Sequence, residues 1–283
     1  MTPPSATHLV LIPSYNTGSR LADTVAAALA QWSPVWVIVD GSTDDSAAPV
    51  LAHAAQDPRL RVIIRSSNGG KGAAVATGVE AALEAGFTHV LTMDADGQHS
   101  AGHLPTFMAE SRIHPNALIA GRPVFGPEVP LERLHGRKLS VALAKWETLG
   151  SAVDDPLFGF RVYPARALQR ALAATRFARG FDFDPEIAVR LVWAGVQTVN
   201  LPAPCRYFTK GEGGVSHFRY GRDNLKLIWL HARLLSELLL WRWPQVLRRQ
   251  RAVPQPSAGR GAPDRIDPAR EQSQRRESTP TRP

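Results

Sequence analysis

Short apolar runs, each closed by a polar turn, recur through the first half of the chain. His8-Leu9-Val10-Leu11-Ile12-Pro13 leads into Pro13-Ser14-Tyr15-Asn16. Val35-Trp36-Val37-Ile38-Val39 leads into Asp40-Gly41-Ser42-Thr43-Asp44-Asp45-Ser46. Residues 60–64 and 87–93 repeat the pattern, and 117–122 repeats it again further on. Runs of this length bounded by turn residues predict buried strands. Between them, residues 21–32 place Leu21, Val25, Ala28, Leu29 and Trp32 on one side of a helix, and 73–85 reads as another. Ser42 or Thr43 is placed to cap the helix after the second strand. Strands and helices alternating at this spacing predict a mostly parallel α/β sheet with right-handed crossovers.

The run 90–93 stops abruptly in Asp94-Ala95-Asp96-Gly97-Gln98-His99. In an open α/β sheet, ligands bind just beyond the carboxyl ends of the strands. Two hard oxygen donors at i and i+2 beside a Gly turn suit Mg²⁺ or Mn²⁺, whose shell is completed by water and substrate phosphates. Taken alone, the same residues describe a solvated turn. Their position at a strand end favours the metal. Asn68-Gly69-Gly70-Lys71-Gly72 opens a helix whose bare amides favour anions. It is not a Walker A loop, because the Lys-Ser/Thr ending is missing, and plain turn chemistry is the alternative.

In the second half, Gly121-Arg122 ends a strand and Arg133, Arg137 and Lys138 follow. These cations read either as a solvated helix face or as a clamp for phosphate, which Arg binds bidentately. Gly159 stands between Phe158 and Phe160, a strand kink by itself. The flanking charges Asp155 and Arg161 favour the edge of an active site. Phe181-Asp182-Phe183-Asp184-Pro185-Glu186 opens a helix, with Pro185 in the first turn, Asp184 as cap and Glu186 suited to the helix field.

Composition narrows the class. At 283 residues, 44% hydrophobic and 20% charged, the chain is an ordinary globular protein with one large domain or two small ones. The net charge of +8 is concentrated at the end, where nine Arg stand against four acids from residue 248 onward. With no zinc spacing and no RNA-recognition signature, a nucleic-acid partner is not expected. Cys205 is the single cysteine, which excludes disulfides within the chain and points to a reducing compartment. The first residues show no signal-peptide pattern. Residues 224–243 are strongly apolar but carry Lys226, His231, Arg233 and Glu237, too much charge for a spanning helix of about 20 residues. Such a helix either lies in a membrane interface or packs on the core or a partner subunit. The Pro- and Arg-rich remainder lacks aromatic residues and is expected to be disordered.

Together, Pro13-Ser14-Tyr15-Asn16, Asp40-Gly41-Ser42-Thr43-Asp44, Asn68-Gly70-Lys71-Gly72 and Asp94 to His99 resemble the ordered motifs of family 2 glycosyltransferases. The closest look is to the dolichyl/polyprenyl-phosphate sugar transferase branch, over roughly residues 9–243. The resemblance implies a GT-A fold and a nucleotide-diphosphate sugar as donor, with a divalent metal, Mg²⁺ or Mn²⁺, as cofactor. It implies Pro13, Tyr15 and Asp40 in the base and ribose pocket, with Asn16, Ser42, Lys71 and Ala95 also on the donor. Asp94 would lie near ribose and metal, while Asp96 and Gln98 hold the metal on the diphosphate. Arg122, Arg137 and Asp155 would border the reacting phosphates, Asp184 and Glu186 would lie near the acceptor, and Ser216 and His217 would belong to a closing loop.

Val39 departs from the pattern, since the family usually has a second acid before Asp40. The implied acceptor is a lipid phosphate or another lipid or glycan. A hydroxyl acceptor needs a base, whereas a phosphate needs positioning and charge neutralisation. A Gln-x-x-Arg-Trp motif is absent, so a processive polysaccharide synthase is not expected. The expected organisation is a GT-A domain over 1–223, an apolar helix over 224–247 and a basic tail over 248–283. The enzyme is expected to be cytoplasmic, peripheral on the inner face of the plasma membrane, and inverting. Two alternatives stand beside it: a sugar nucleotidyltransferase of the same superfold, and a non-catalytic, membrane-associated binding module.

Overall fold

The first four strands form as the apolar runs predict; the first, second and fourth are buried on both faces, while the third is an edge with Arg61 and Ile64 exposed. In the computed structural model these are β1 (His8–Ser14), β2 (Val35–Asp40), β3 (Leu60–Arg65) and β4 (His89–Thr92), all mutually parallel where they pair. Residues 4–126, 131–150, 153–206 and 220–252 are described. The expected closing loop with Ser216 and His217, and the tail from 253 on, lie outside them.

Helices α1 (Arg20–Gln31), α2 (Ala47–Ala54) and α3 (Lys71–Glu84) make the crossovers. The period of two in the strands sorts their side chains into two cores. Val10, Ile12, Val37 and Leu91 pack with Leu21 and Val25 of α1, and with Phe107 and Met108 of α4 (Leu104–Ile113). Leu9, Leu11, Ile38 and Val90 face Val75 and Val79 of α3, Leu168 of α6 (Ala165–Ala173) and Ile187 and Leu191 of α7 (Phe183–Trp193).

The sheet continues beyond β4 in a different sense. Its order is β3-β2-β1-β4-β6-β5-β7, where β5 is Leu118–Phe125, β6 is Arg161–Pro164 and β7 is Thr198–Cys205. β6 runs antiparallel to both of its neighbours, while β7 pairs parallel with β5. Pro202 and Pro204 are tolerated in β7 because it is an edge strand. The result is a mixed α/β fold with a largely parallel sheet flanked by helices.

Two expected caps are corrected. α2 begins at Ala47 behind Ser46, so neither Ser42 nor Thr43 caps it. Instead the Ser42 hydroxyl accepts from the Asn16 amide at 3.1 Å, and the Thr43 amide donates to Asn16 Oδ1 at 2.8 Å, lashing the turn after β1 to the turn after β2. α7 begins at Phe183 behind Asp182, so Asp184 lies inside its first turn.

The apolar C-terminal segment is helical throughout its described length. α5 (Leu131–Glu147) and α8 (Tyr220–Glu237) pack beside α7, and a π turn over Leu238–Arg242 leads into α9 (Trp243–Ala252). Ala144, Val189, Trp193, Leu230, Leu234, Leu238 and Val246 form a third core. Among the described residues no helix is long and apolar enough to cross a membrane.

At the amino ends of β1 and β4, His8 stacks on His89 at 4.3 Å and shares a hydrogen bond with Ser111 Oγ at 3.2 Å. Burial, reinforced by His89 and Arg112, pulls the His8 imidazole down from 6.5 to about 4. The unfolded chain therefore takes up this proton first, and stability falls as pH drops through the window from 6.5 to 4. Between pH 7 and pH 5 the loss should be roughly 2 kcal/mol. Urea unfolding at the two pH values measures it. His8→Asn should flatten the difference, and an equal slope in both proteins would remove His8 as its source.

Candidate functional site

Polar turns from three parallel strands meet at one edge of the sheet, where the strand order predicts a ligand. Asp40 closes β2 and is buried. Its carboxylate accepts from Arg65 Nε at 2.7 Å, from the Gly70 amide at 2.7 Å and from the Gly69 amide at 3.1 Å. The Gly72 amide donates to the Arg179 carbonyl at 3.0 Å. The amides of Gly69, Gly70 and Gly72 are thus spent within the protein, which is turn chemistry at these three positions. Glycine is required there because a Cβ on Gly72 would lie 1.8 Å from the Ala178 carbonyl oxygen. Backbone meets backbone, and the turn before α3 is locked to the loop before α7.

That lock aims Lys71. Its Nζ lies 2.6 Å from Asp94 Oδ1 at the end of β4 and 2.6 Å from Asp184 Oδ2 in α7. Burial disfavours the ammonium, but Asp184 and Asp94 outweigh it and push the Lys71 pKa up. For Asp94 the opposition of burial is likewise overcome by Lys71 and His99, which hold it below the usual carboxylate range. Asp184 is raised, because burial prevails over Lys71 and Arg161; its Oδ1 is buried with no hydrogen-bond partner among the described residues. Asp96 is raised to about 6 by burial and by the neighbouring Asp94 charge. Two acids thus hold one lysine, and Asp96 adds its charge beside Asp94.

Two neighbours complete the frame. The Asp94 amide donates to His99 Nδ1 at 3.1 Å, which leaves the ring proton on Nε2, 3.6 Å from Asp94 Oδ2. Burial holds His99 down at about 4, so the imidazole stays neutral. Gly159 backs the site: its carbonyl accepts from Thr92 Oγ1 at 2.7 Å, and a Cβ on it would sit 2.4 Å from Lys71 Nζ. The Gly159 of the Phe-Gly-Phe stretch is therefore a point of close approach. Arg161, fully buried, donates to the carbonyls of Asp155, Pro156 and Asp184 and ties that stretch to α7.

The structure brings Lys71, Asp94, Asp96 and Asp184 together, with Ala95 buried between the two acids and its carbonyl bonded to Thr24. Pro13 is the penultimate residue of β1, Tyr15 is half-buried just beyond the strand, and Asn16 and Ser42 form the lashing at the rim. Gln98 donates its amide to Asp96 Oδ1 at 3.0 Å and accepts from the Arg206 amide at 3.0 Å. Arg137 pairs with Asp155 and lies 5.1 Å over the Phe125 ring, while Arg122 is exposed, 4.0 Å from Asp154. Glu186 stands apart. Its carboxylate is fully buried and accepts from Thr175, Ala178, Arg190 and Arg233, so no lone pair is left for a base.

Arg65, His99 and Gly159 are the contributors that motif reasoning missed. Arg65 was legible from register alone, since it faces Asp40 across the β2–β3 ladder. Among the described residues no group of three or more His, Cys, Asp or Glu is arranged to hold a metal ion. A pair of carboxylates with surplus negative charge, one of them about a third exposed at 32%, still fits a Mg²⁺ or Mn²⁺ site that substrate phosphates complete.

The model of glycosyl transferase family 2 matches residues 9–177. Polyprenol monophosphomannose synthase of Mycolicibacterium smegmatis is 30% identical over 219 residues, covering 75% of this chain and 81% of that protein. Undecaprenyl-phosphate mannosyltransferase of Micrococcus luteus is 29% identical over 203 residues, covering 69% and 81%. The crystal structure of glucosyl-3-phosphoglycerate synthase from Mycobacterium tuberculosis, in complex with Mn²⁺, UDP-glucose and phosphoglyceric acid, superposes with a TM-score of 0.58 at 18% identity. It covers 82% of this chain and 80% of that one, a likeness of fold.

Removing the shared cation leaves Asp94 and Asp184 facing each other unpaired. Lys71→Met should therefore cost about 3–5 kcal/mol of unfolding free energy in urea. Adding Asp184→Asn should restore part of it; a single variant as stable as the parent would show that the bridge contributes nothing.

Proposed function

The chain belongs to glycosyl transferase family 2, and from that premise we propose that it moves a sugar from a nucleoside-diphosphate donor to a lipid phosphate. That it is a glycosyltransferase follows from the family; the donor, the metal and the acceptor are the proposal. The observation that carries it is the Asp94/Asp96 pair at the end of β4, steered by Lys71 at the sheet edge where ligands bind. The same membership sets aside the nucleotidyltransferase and the non-catalytic module.

In this reading Asp94 and Asp96 hold a divalent cation, with Gln98 beside them. When bound, that cation neutralises the departing nucleoside diphosphate. Lys71 fixes the Asp94 carboxylate and adds a positive charge beside the same phosphates. Pro13, Tyr15, Asn16, Asp40 and Ser42 line the nucleoside side, where Asp40 acts by shaping the turn that carries Lys71. The two acids expected near the acceptor bear on its identity. Glu186 is saturated and Asp184 is bonded to Lys71. An acceptor that arrives already anionic needs neither as a base. The two relatives, a polyprenol monophosphomannose synthase and an undecaprenyl-phosphate mannosyltransferase, support the same choice. Arg122, Arg137 and Lys138 supply cations at the rim for its phosphate. Attack by that phosphate from the face opposite the leaving group is a single displacement and inverts the anomeric centre.

A thermal-shift series with UDP-, GDP- and dTDP-sugars, each with and without Mn²⁺, tests the donor side. Stabilisation by one nucleotide sugar that requires metal is expected. Transfer to undecaprenyl phosphate, followed by product extraction, tests the acceptor. Asp96→Ala should lower that transfer about a thousandfold with the unfolding midpoint retained; full turnover in this variant would sink the metal assignment. Gly159→Ala, which drives a methyl group into Lys71, should lower it about a hundredfold.

A further inference from the structure

α8 is apolar on two sides, and only one of them is covered. Leu230, Leu234 and Leu238 pack into the third core. On the other side Leu225, Ile228 and Trp229 recur at helical spacing with Leu239 and Leu240 of the π turn, and Leu225 and Leu239 are 68% and 70% exposed. Trp241 and Trp243 are exposed just beyond. α5, which packs beside α8, leaves Leu139 and Trp146 exposed as well. Soluble monomers rarely leave such a stripe open to water.

The charges around the stripe say what covers it. Between residues 220 and 252 the only acids are Asp223, which is buried, and Glu237, which is paired with Arg190 and Arg242. Lys226 and Arg248 are exposed, while Arg249 turns to the Trp193 carbonyl. A second copy docked through the same face would set cations against cations. An anionic bilayer matches both parts of the pattern, since apolar residues enter the acyl boundary, tryptophans sit at its edge and basic residues meet the headgroups.

We propose that the outward stripe of α8 and the π turn lies in the headgroup–acyl boundary of an anionic membrane. The stripe also leads to the site. Trp229 meets Phe177 edge to face at 4.7 Å, and Phe177 stands two residues before Arg179, whose carbonyl receives the Gly72 amide. The membrane face thus ends next to the loop that locks Lys71 in place. This surface deepens the lipid-phosphate reading, on which its meaning for substrate delivery rests.

Co-sedimentation of the full chain with vesicles tests it, comparing phosphatidylcholine alone with phosphatidylcholine mixed with phosphatidylglycerol. The parent should pellet with the anionic vesicles, and added salt should weaken the binding without abolishing it. Ile228→Asp and Leu239→Asp should each lower the partition coefficient about tenfold or more, while the donor-induced thermal shift is kept. If an aspartate variant loses its helical circular dichroism, Ile228→Ser and Leu239→Ser read the same quantity with a smaller drop. Vesicle binding equal in parent and variants, or absent from the parent, overturns the proposal. So does a parent dimer in sedimentation velocity that the variants turn into monomers. Loss of the donor shift with vesicle binding intact would instead count against the catalytic reading alone.

Discussion

One buried ammonium holds the site together. Lys71 stands at the first turn of α3 and reaches Asp94 on β4 and Asp184 on α7, so three elements from distant parts of the chain share one ion-pair network. Taking a lysine out of water is unfavourable unless its partners are close and well placed. Here the partners are placed by backbone packing: Asp40 gathers the amides of the Gly-rich turn, and the turn presses against the carbonyls of residues 178 and 179. Every other statement about the site depends on that geometry, because it decides where the Asp94 carboxylate points.

The first half of the fold was legible because β1, β2 and β4 are buried on both faces and read as apolar runs, and even the edge strand β3 keeps Val62, Ile63 and Ile64 together. The strand ends were legible too, since Asp94 and Asp96 interrupt such a run without transition. The second half was harder. β6 is four residues long and runs against its neighbours, and β7 carries two prolines that single it out as an edge only once the strand order is known. Asp184 reads both as a helix cap and as a site acid, because an acid before a proline at a helix start looks the same whether it faces solvent or Lys71. Sequence spacing also could not show that Glu186 turns away from the carboxylate cluster. Its partner Arg233 is 47 residues distant and belongs to another helix. Those errors share a cause: local signals assign a residue to a helix turn, and only tertiary packing assigns its side chain.

The C-terminal helices are bound to the catalytic core by charge as well as by apolar contact. Glu186 and Arg190 of α7 meet Arg233 and Glu237 of α8, and Glu147 of α5 pairs with His231 at 2.7 Å. Arg233 packs against the touching rings of Phe177 and Trp229, 4.4 and 4.9 Å from their centres. α8 is therefore fixed relative to α7, the helix that carries Asp184, and its outer stripe keeps a defined orientation to the site.

The π turn at Leu238–Arg242 adds a requirement that no side chain carries. It accommodates one residue more than an α-helix would, and each residue turns a helix by about 100°. α9 is seated only in that phase, with Val246 buried in the third core and Arg249 donating to the Trp193 carbonyl at 2.7 Å. The turn has therefore already taken up its one spare residue: a deletion here closes it into a plain α-helix and keeps Val246 in the core, whereas another insertion would swing Val246 out and a polar neighbour in.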